Sequence, residues 1–223
     1  MSSWPRTVWR HPSAVLLAVQ LLGVLLYPFM VDSPTGRALL SIFALVVLVL
    51  AVRAVRATPA LMQVSVGLGV PVVVLTILEA ARPEDQGILL WSSVLHSAFY
   101  FYTSYGLIRY MFKDRRVTPD ELFATGATYT VLAWAFAYLY LAIQVVWPGS
   151  FSAASGAVEP RTWVEMLFLS FTTLTSTGLS DIAPVLPQAR ALNMIEMVAG
   201  LMYVALVISR IVGLTLSREQ ASD

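Results

Sequence analysis

Six long apolar stretches constrain the fold of this 223-residue chain more than any other feature of its sequence. They occupy residues 13–31, 38–55, 60–78, 87–108, 123–147 and 189–216. A helix needs about 20 apolar residues to cross the ~30 Å of hydrocarbon in a bilayer, and each stretch is near that length or longer. We therefore expect an all-α membrane protein with six transmembrane helices.

The low charge content of the chain is consistent with a surface that faces lipid. Only 12% of the residues are charged, whereas a soluble domain carries about 25%. The net charge of +1 gives no reason to expect nucleic acid as a partner. Cys is absent and the two histidines, His11 and His96, lie in separate segments, which argues against thiol chemistry and a His-based metal site. No nucleophile is paired with a base, so we expect neither an enzyme nor a cofactor.

The distribution of basic residues predicts the orientation. With the N-terminus in the cytoplasm, ten of the 14 Lys and Arg residues fall inside and four outside, as the positive-inside rule requires. Because the number of spans is even, both termini are expected in the cytoplasm of a multi-pass plasma-membrane protein that contacts membrane lipids. The first stretch lacks a small-residue cleavage site, so we interpret it as a helix rather than a signal peptide.

The chain divides into two predicted domains, at residues 1–117 and 118–223. The first is a four-helix transmembrane domain without the series of basic residues, one at every third position, that a voltage sensor needs. Arg53 and Arg56 have this spacing, but as a single pair at a membrane edge. Its polar candidates Glu79 and His96 are interpreted as satisfied interior or interfacial groups, and a proton-sensing role for His96 is the alternative. The second domain opens with "TPDE" at 118–121, a capping box with Pro at the first helical position, which predicts a helix over residues 119–147.

The segment between the fifth and sixth stretches contains a helix that is too short to span. "TWVE" at 162–165 is a second capping box, and the apolar helix that it starts ends near Leu174. That helix reaches only ~18 Å, so the chain must return as non-helical backbone. Such backbone is tolerated at membrane depth only where it is buried in protein or lines a water-filled path. We expect a re-entrant helix over residues 163–174.

Small polar residues follow this helix in "SFTTLTSTGLSDIAP", residues 170–184. Hydroxyl and carbonyl oxygens are hard ligands that suit alkali cations, and a helix C-terminus adds partial negative charge and unpaired carbonyls. One strand supplies only a fraction of a coordination shell, so several chains must converge on an axis. The alternative is a polar re-entrant loop that serves only for packing.

Residues 163–214 resemble the pore module of the tetrameric potassium-channel superfamily, in its short prokaryotic ion-channel branch. The family pattern is a pore helix followed by T-x-G-x-G-D and a nearby Pro. The resemblance implies a homotetrameric pore with an outer helix at 119–147, a pore helix at 163–174, a filter at 175–181 and an inner helix at 189–216. The implied selectivity-filter residues are Thr175, Ser176, Thr177, Gly178, Leu179, Ser180 and Asp181. K⁺ or Na⁺, as a permeant ligand, would bind at Ser176, Thr177 and Gly178.

The same resemblance assigns roles in the sixth stretch, where Gly200 stands at the place of the family's hinge glycine. The implied cavity and gate residues are Glu196, Gly200, Val204, Ile208 and Ile211. Two of these have another explanation. Gly200 would permit close helix packing, and Glu196, an ionisable group inside a span, would brace the pore helix through hydrogen bonds to its hydroxyls.

Two filter positions depart from the family pattern, in which a second glycine follows a tyrosine. Leu179 replaces the tyrosine and Ser180 replaces the glycine. Ser180 carries a Cβ, so it either adopts an unfavourable positive φ or gives the outer filter another shape. We expect a cation channel that conducts K⁺ with limited discrimination against Na⁺. The alternative is a non-conducting or accessory pore-fold protein, or a transporter related to potassium-uptake systems.

Overall fold

The computed structural model describes residues 11–30, 34–54, 59–113, 118–153 and 160–220. Arg56 and the basic residues among positions 1–10 and 114–117, which enter the orientation argument, lie outside the described residues. Over the described ranges the chain forms seven α-helices and two short strands. In chain order these are α1 (Pro12–Met30), α2 (Pro34–Ala54), α3 (Pro59–Ala81), α4 (Gln86–Met111), α5 (Pro119–Val146), β1 (Phe151–Ala153), α6 (Trp163–Leu174), β2 (Ile182–Pro184) and α7 (Pro187–Gln220).

Local sequence explains where these helices begin. α1, α2, α3, α5 and α7 each begin with Pro, whose fixed φ suits the first helical position and whose missing N–H is not needed there. The side chain of Thr118 accepts the N–H of Glu121 at the start of α5. Thr162 and Glu165 cap α6 reciprocally, and α6 covers the same residues that the sequence assigned to the re-entrant helix.

The main difference from the expected all-α fold is a small antiparallel sheet. β1 pairs with β2 so that Phe151 lies opposite Pro184 and Ala153 opposite Ile182. The N–H of Val185 extends the pairing by donating to the carbonyl of Ser150 at 2.9 Å. The sheet ties together the two ends of the segment that contains α6 and its loop. The neighbouring α7 begins at Pro187, two residues before the predicted start, because Pro there opens its first turn.

Four helices in the described ranges are long and apolar enough to cross a membrane. They are Pro12–Met30, Gln63–Ala81, Pro119–Val146 and Pro187–Gly213. The described part of α2 contributes a shorter apolar helix, Phe43–Arg53. α4 is long enough but buries Ser, Thr and His side chains along its length, which lowers its apolar character. The chain is thus a mostly helical membrane protein, and the count of six spans stays a prediction.

α5 is the central helix of the described molecule. Consecutive helices from α1 to α5 pack on one another, α1 returns to pack on α5, and α6 and α7 lie against α5 as well. Small side chains allow these close approaches. Ala124, Ala127, Ala133, Ala135 and Ala137 of α5 are fully buried. The position of α5 therefore places α6 and its loop relative to the first four helices.

Candidate functional site

The loop that follows α6 begins with a compact helix-ending turn. Thr175 is the C-cap of α6, and the next residue, Ser176, has a positive φ of 57°. The N–H of Ser176 donates to the carbonyl of Thr173 at 3.0 Å, and that of Thr177 donates to the carbonyl of Thr172 at 3.0 Å. These two bonds define a Schellman motif, in which the residue of positive φ is usually Gly. A Ser in this conformation costs about 1 kcal/mol or more.

The carbonyl of Thr172 organises the start of the loop. It accepts the N–H groups of Thr177 and Gly178 at 3.0 and 3.2 Å, and the hydroxyls of Thr175 and Thr177 each lie 3.3 Å from it. Gly178 has a φ of 65°, which glycine adopts without steric cost. The sequence predicted unpaired carbonyls at this helix end. The loop instead folds back and donates to those of Phe171, Thr172 and Thr173.

The residues assigned to the filter lie at the surface of the single chain. Thr175, Ser176, Thr177, Gly178, Leu179 and Asp181 are exposed, and Ser180 is half-buried. Leu179 is the most open of them, with 77% of its surface exposed. No group of three His, Asp or Glu side chains within the described ranges could hold a metal ion. From Thr175 to Ser180 the loop offers only hydroxyl and backbone carbonyl oxygens, and Asp181 adds a carboxylate.

Ser180 takes part in a different local structure from the turn at Ser176. Its hydroxyl accepts the N–H of Ile182 at 3.1 Å, where β2 begins. Among the described non-glycine residues only Ser176 has a positive φ, so Ser180 does not adopt the conformation that a second filter glycine would favour. Ser176, the non-glycine residue of positive φ in this loop, lies four positions before Ser180, and Gly178 is a second residue of positive φ.

Two open cavities flank the loop. One of about 550 Å³ is lined by Ser176, Gly178, Ser180, Asn193 and Met197, among others, on the side of β2. The other, of about 680 Å³, lies between α5 and α7 and reaches Thr175 and Ser176. In the single chain both sides of the loop therefore border open space.

α7 has one packed face and one open face. The packed face carries Asn193, Glu196, Gly200 and Tyr203, all buried, at helical spacing. The open face is apolar and carries Met194, Ile195, Val198, Leu201, Val204 and Ile208, all exposed. The residues assigned to the cavity and gate are thus divided between the faces. Glu196 and Gly200 are buried, Val204 and Ile208 are exposed, and Ile211 is half-buried.

Gly200 lies where α7 crosses the end of α6. A Cβ at this position would come within 2.3 Å of the carbonyl oxygen of Leu174 and 2.8 Å of its Cα. These are backbone atoms of the last turn of α6, so they cannot move aside without moving the loop. In this structure Gly200 permits the close approach of the two helices, which was the alternative to the hinge role.

A buried hydrogen-bonded cluster lies one to two turns before Gly200. The amide nitrogen of Asn193 donates to the hydroxyls of Tyr140 and Thr173, each at 2.9 Å. The hydroxyl of Tyr140 bonds to one carboxyl oxygen of Glu196, and the hydroxyl of Ser170 bonds to the other. Glu196 has no exposed surface. The structure therefore places Glu196 between α5, α6 and α7 and not on the open face of α7.

The far end of α7 is held by a carboxylate at the start of α5. Arg210 lies 3.2 Å from Glu121. The preceding residue, Asp120, faces the first four helices and accepts the N–H and hydroxyl of Ser13 at 3.2 and 3.0 Å and the hydroxyl of Tyr110 at 3.0 Å. Adjacent carboxylates thus connect α5 to α7 on one side and to α1 and α4 on the other.

Four polar side chains of α3 and α4 form a hydrogen-bonded group inside the N-terminal helices. Nδ1 of His96 lies 2.8 Å from the carbonyl of Ser92, and its Nε2 lies 3.3 Å from the hydroxyl of Thr76. The His96 ring stacks on Tyr138 with centroids 4.4 Å apart. The hydroxyl of Ser92 donates to Glu79 at 2.6 Å. His96 and Glu79 have the satisfied interior setting that the sequence analysis favoured.

The sequence analysis missed three members of the buried cluster, Tyr140, Asn193 and Thr173. A signal was present for one of them. Asn193 precedes Glu196 by three residues, so both lie on one face of an otherwise apolar helix. Nothing in the sequence indicated that the hydroxyl of Tyr140 would meet them, because that contact depends on how α5 packs on α7.

Comparison with known families supports a functional interpretation of this part of the chain. A family model described as an ion channel matches residues 126–216, which include most of α5, all of α6, the loop and most of α7. No curated protein and no solved structure matches the chain. The matched family is one of channels and not of enzymes, and the match covers less than half of the chain.

Proposed function

We propose, from the match of residues 126–216 to an ion-channel family model, that the protein is a homotetrameric cation channel of the plasma membrane. Its chain would cross the bilayer six times, with both termini in the cytoplasm. The observation that carries the proposal is the polar loop after α6. Its residues 175–179 are exposed in the single chain and rich in hydroxyl and carbonyl oxygens.

Two surfaces that are exposed in a single chain support the tetramer, the loop oxygens and the open face of α7. The loop offers one set of oxygens, whereas replacing the hydration shell of an alkali cation takes a ring of them. The open face of α7 is apolar for more than four turns, with Val198 and Leu201 exposed to 62% and 66%. Four copies around one axis would bring the loops together and cover part of these faces.

The permeant ions proposed are monovalent cations, chiefly K⁺. Ser176, Thr177 and Gly178 would supply hydroxyl or carbonyl ligands, and the exposed Asp181 would concentrate cations of either kind at the mouth. Without a second filter glycine, fewer carbonyl layers align, so discrimination between K⁺ and Na⁺ is expected to be limited. Selectivity is thus the property that the loop sequence controls most directly.

Reversal potentials of the purified full-length protein in liposomes, measured with K⁺ on one side and Na⁺ on the other, test this proposal. The double change Leu179→Tyr with Ser180→Gly should raise the K⁺/Na⁺ permeability ratio. Gly178→Ala should abolish flux with the tetramer intact, because the φ of 65° at this position favours glycine. Gly67→Ala is the matched control, since a Cβ there has no neighbour within 4 Å.

Several results would contradict the proposal. Anion flux, strong exclusion of Na⁺ by the unaltered protein, or a stable monomer as the functional unit in native mass spectrometry would each do so. A protein with no flux at all would point to the accessory pore-fold alternative. Slow, saturable uptake would point to a transporter.

A further inference from the structure

The buried cluster behind the loop joins three helices through five polar side chains. They are Tyr140 of α5, Ser170 and Thr173 of α6, and Asn193 and Glu196 of α7. None is more than 6% exposed. Burying polar groups is unfavourable unless each finds a partner. The cluster therefore favours one arrangement of the three helices over others that would leave these groups unpaired.

The bonding within the cluster leaves little spare capacity. Both hydrogens of the Asn193 amide are used, one by Thr173 and one by Tyr140. The hydroxyl of Tyr140 in turn donates to Glu196, whose second oxygen meets Ser170. Removing any one of these groups leaves a buried partner unsatisfied, so the members act as a unit.

The cluster reaches the loop through Thr173. The hydroxyl of this residue accepts from Asn193, while its backbone carbonyl accepts the N–H of Ser176, the first left-handed residue of the loop. The next residue, Leu174, is the one whose backbone meets Gly200. α7 therefore fixes the last turn of α6 from two sides, and the loop starts from that turn.

We propose that Tyr140, Asn193 and Glu196 are positioning residues for the filter. They touch no permeating ion. They act through Ser170 and Thr173, which hold the last turn of α6 and thereby set where the loop oxygens lie. The inference rests on the proposed channel function and adds to it a determinant of K⁺/Na⁺ discrimination outside the loop.

Two tyrosines provide a matched test. Tyr140 and Tyr203 are both buried and each donates one hydroxyl hydrogen bond, but Tyr203 bonds to the carbonyl of Thr125, away from α6, at 2.7 Å. Tyr140→Phe removes two buried hydrogen bonds, one donated to Glu196 and one accepted from Asn193. It should change the K⁺/Na⁺ permeability ratio of the full-length protein in liposomes by about threefold to tenfold. Tyr203→Phe should leave the ratio unchanged, although both variants lose a buried bond.

A conservative change at Glu196 separates positioning from bulk packing. In Glu196→Gln the amide oxygen can accept from Tyr140 and the amide nitrogen can donate to Ser170, so the permeability ratio should stay within about twofold of the unaltered protein. Glu196→Leu keeps much of the volume but leaves the Tyr140 hydroxyl without its acceptor, while Ser170 keeps its bond to the carbonyl of Ala133. Its permeability ratio should change at least as much as that of Tyr140→Phe. If Glu196→Leu fails to assemble, the comparison of Tyr140→Phe with Tyr203→Phe still tests the positioning role.

The inference is overturned if Tyr140→Phe and Tyr203→Phe lower the melting temperature alike and leave the permeability ratio unchanged. A protein that conducts no cation would remove the proposed function instead. In that case the positioning role is tested by the rise in melting temperature that K⁺ causes. If Tyr140→Phe loses this rise and Tyr203→Phe keeps it, the positioning role is supported. If the unaltered protein and both variants show equal rises, the positioning role is overturned.

Discussion

Two close approaches between helices, one in each half of the molecule, involve different kinds of atom. In the N-terminal half, a Cβ on Gly23 of α1 would come within 2.1 Å of the ring of Phe43, a side chain that can turn away. In the C-terminal half, a Cβ on Gly200 would come within 2.3 Å of the carbonyl oxygen of Leu174. The first contact is adjustable, whereas the second fixes the position of a backbone from which the loop begins.

Burial shows the same contrast. In the most apolar part of α5, 61% of the residues are buried, against 17% in α1 and in α3. The helices α5 and α6 are thus surrounded largely by protein, whereas α1, α3 and also α7, with 22%, are largely exposed in the single chain. A proposed conduction site needs fixed oxygens, and the loop begins at α6, which packs on the well-buried α5.

The largest expected effect is at the contact between backbones. Gly200→Ala should destabilise the protein by about 3 kcal/mol or more, because overpacking against main-chain atoms forces α7 away from α6. Gly23→Ala should cost about 1 kcal/mol or less, since the ring of Phe43 can rotate. Denaturant or thermal unfolding of the purified variants, with the tetramer fraction measured in parallel, gives both values. Equal losses in the two variants would show that the halves do not differ in this respect.

The next effect concerns the junction between the halves. Asp120→Ala removes the acceptor for the N–H and hydroxyl of Ser13 and for the hydroxyl of Tyr110. A loss of about 2 kcal/mol is expected, because these buried donors lose a charged partner. Hydrogen exchange should show the loss of protection mainly in α1 and the end of α4. Glu84→Ala, an exposed carboxylate in the turn before α4, is the control and should change little.

Asp120 and Glu121 are expected to hold different helices, Asp120 holding α1 and α4 and Glu121 holding α7. Loss of hydrogen-exchange protection in α7 after Asp120→Ala would contradict this. α7 is tied to α5 at this end by Arg210 and Glu121. Its protection should respond to Glu121→Ala and not to Asp120→Ala.

The boundaries of the re-entrant helix could be predicted because their causes are local. Thr162 and Glu165 signal its start, and the polar run after Leu174 signals its end, so the sequence itself contains the information. The small sheet could not be predicted in the same way. Its strands are three residues each and pair across about thirty residues, and neither has an apolar alternation that would mark it.

In the candidate site too, the features with local causes could be predicted and those that depend on helix packing could not. The hydroxyl-rich loop was evident from composition, and Asn193 and Glu196 share a helix face that the spacing reveals. Which groups they meet depends on the packing of three helices. The sequence also did not predict which serine has a positive φ. The family pattern pointed to Ser180, whereas the helix-ending turn places the positive φ at Ser176. A turn of this kind is normally signalled by Gly, and the sequence has Ser there.

The smallest expected effect is a gain in stability, and it tests whether the C-terminal half holds backbone strain at its proposed site. Ser176→Gly relieves a positive φ of 57°, so it should stabilise the protein by about 1 kcal/mol. Ser209→Gly, at an exposed helical position of α7, should instead destabilise it by about 0.5 kcal/mol because glycine is a poor helix former. Thermal unfolding of the two variants should give changes in stability of opposite sign.

If both variants lose stability, the loop of the assembled protein has another backbone conformation at Ser176. If Ser176→Gly is more stable but conducts less K⁺, the Ser176 hydroxyl is itself an ion ligand. Serine at this position would then be kept for that ligand despite its strained φ.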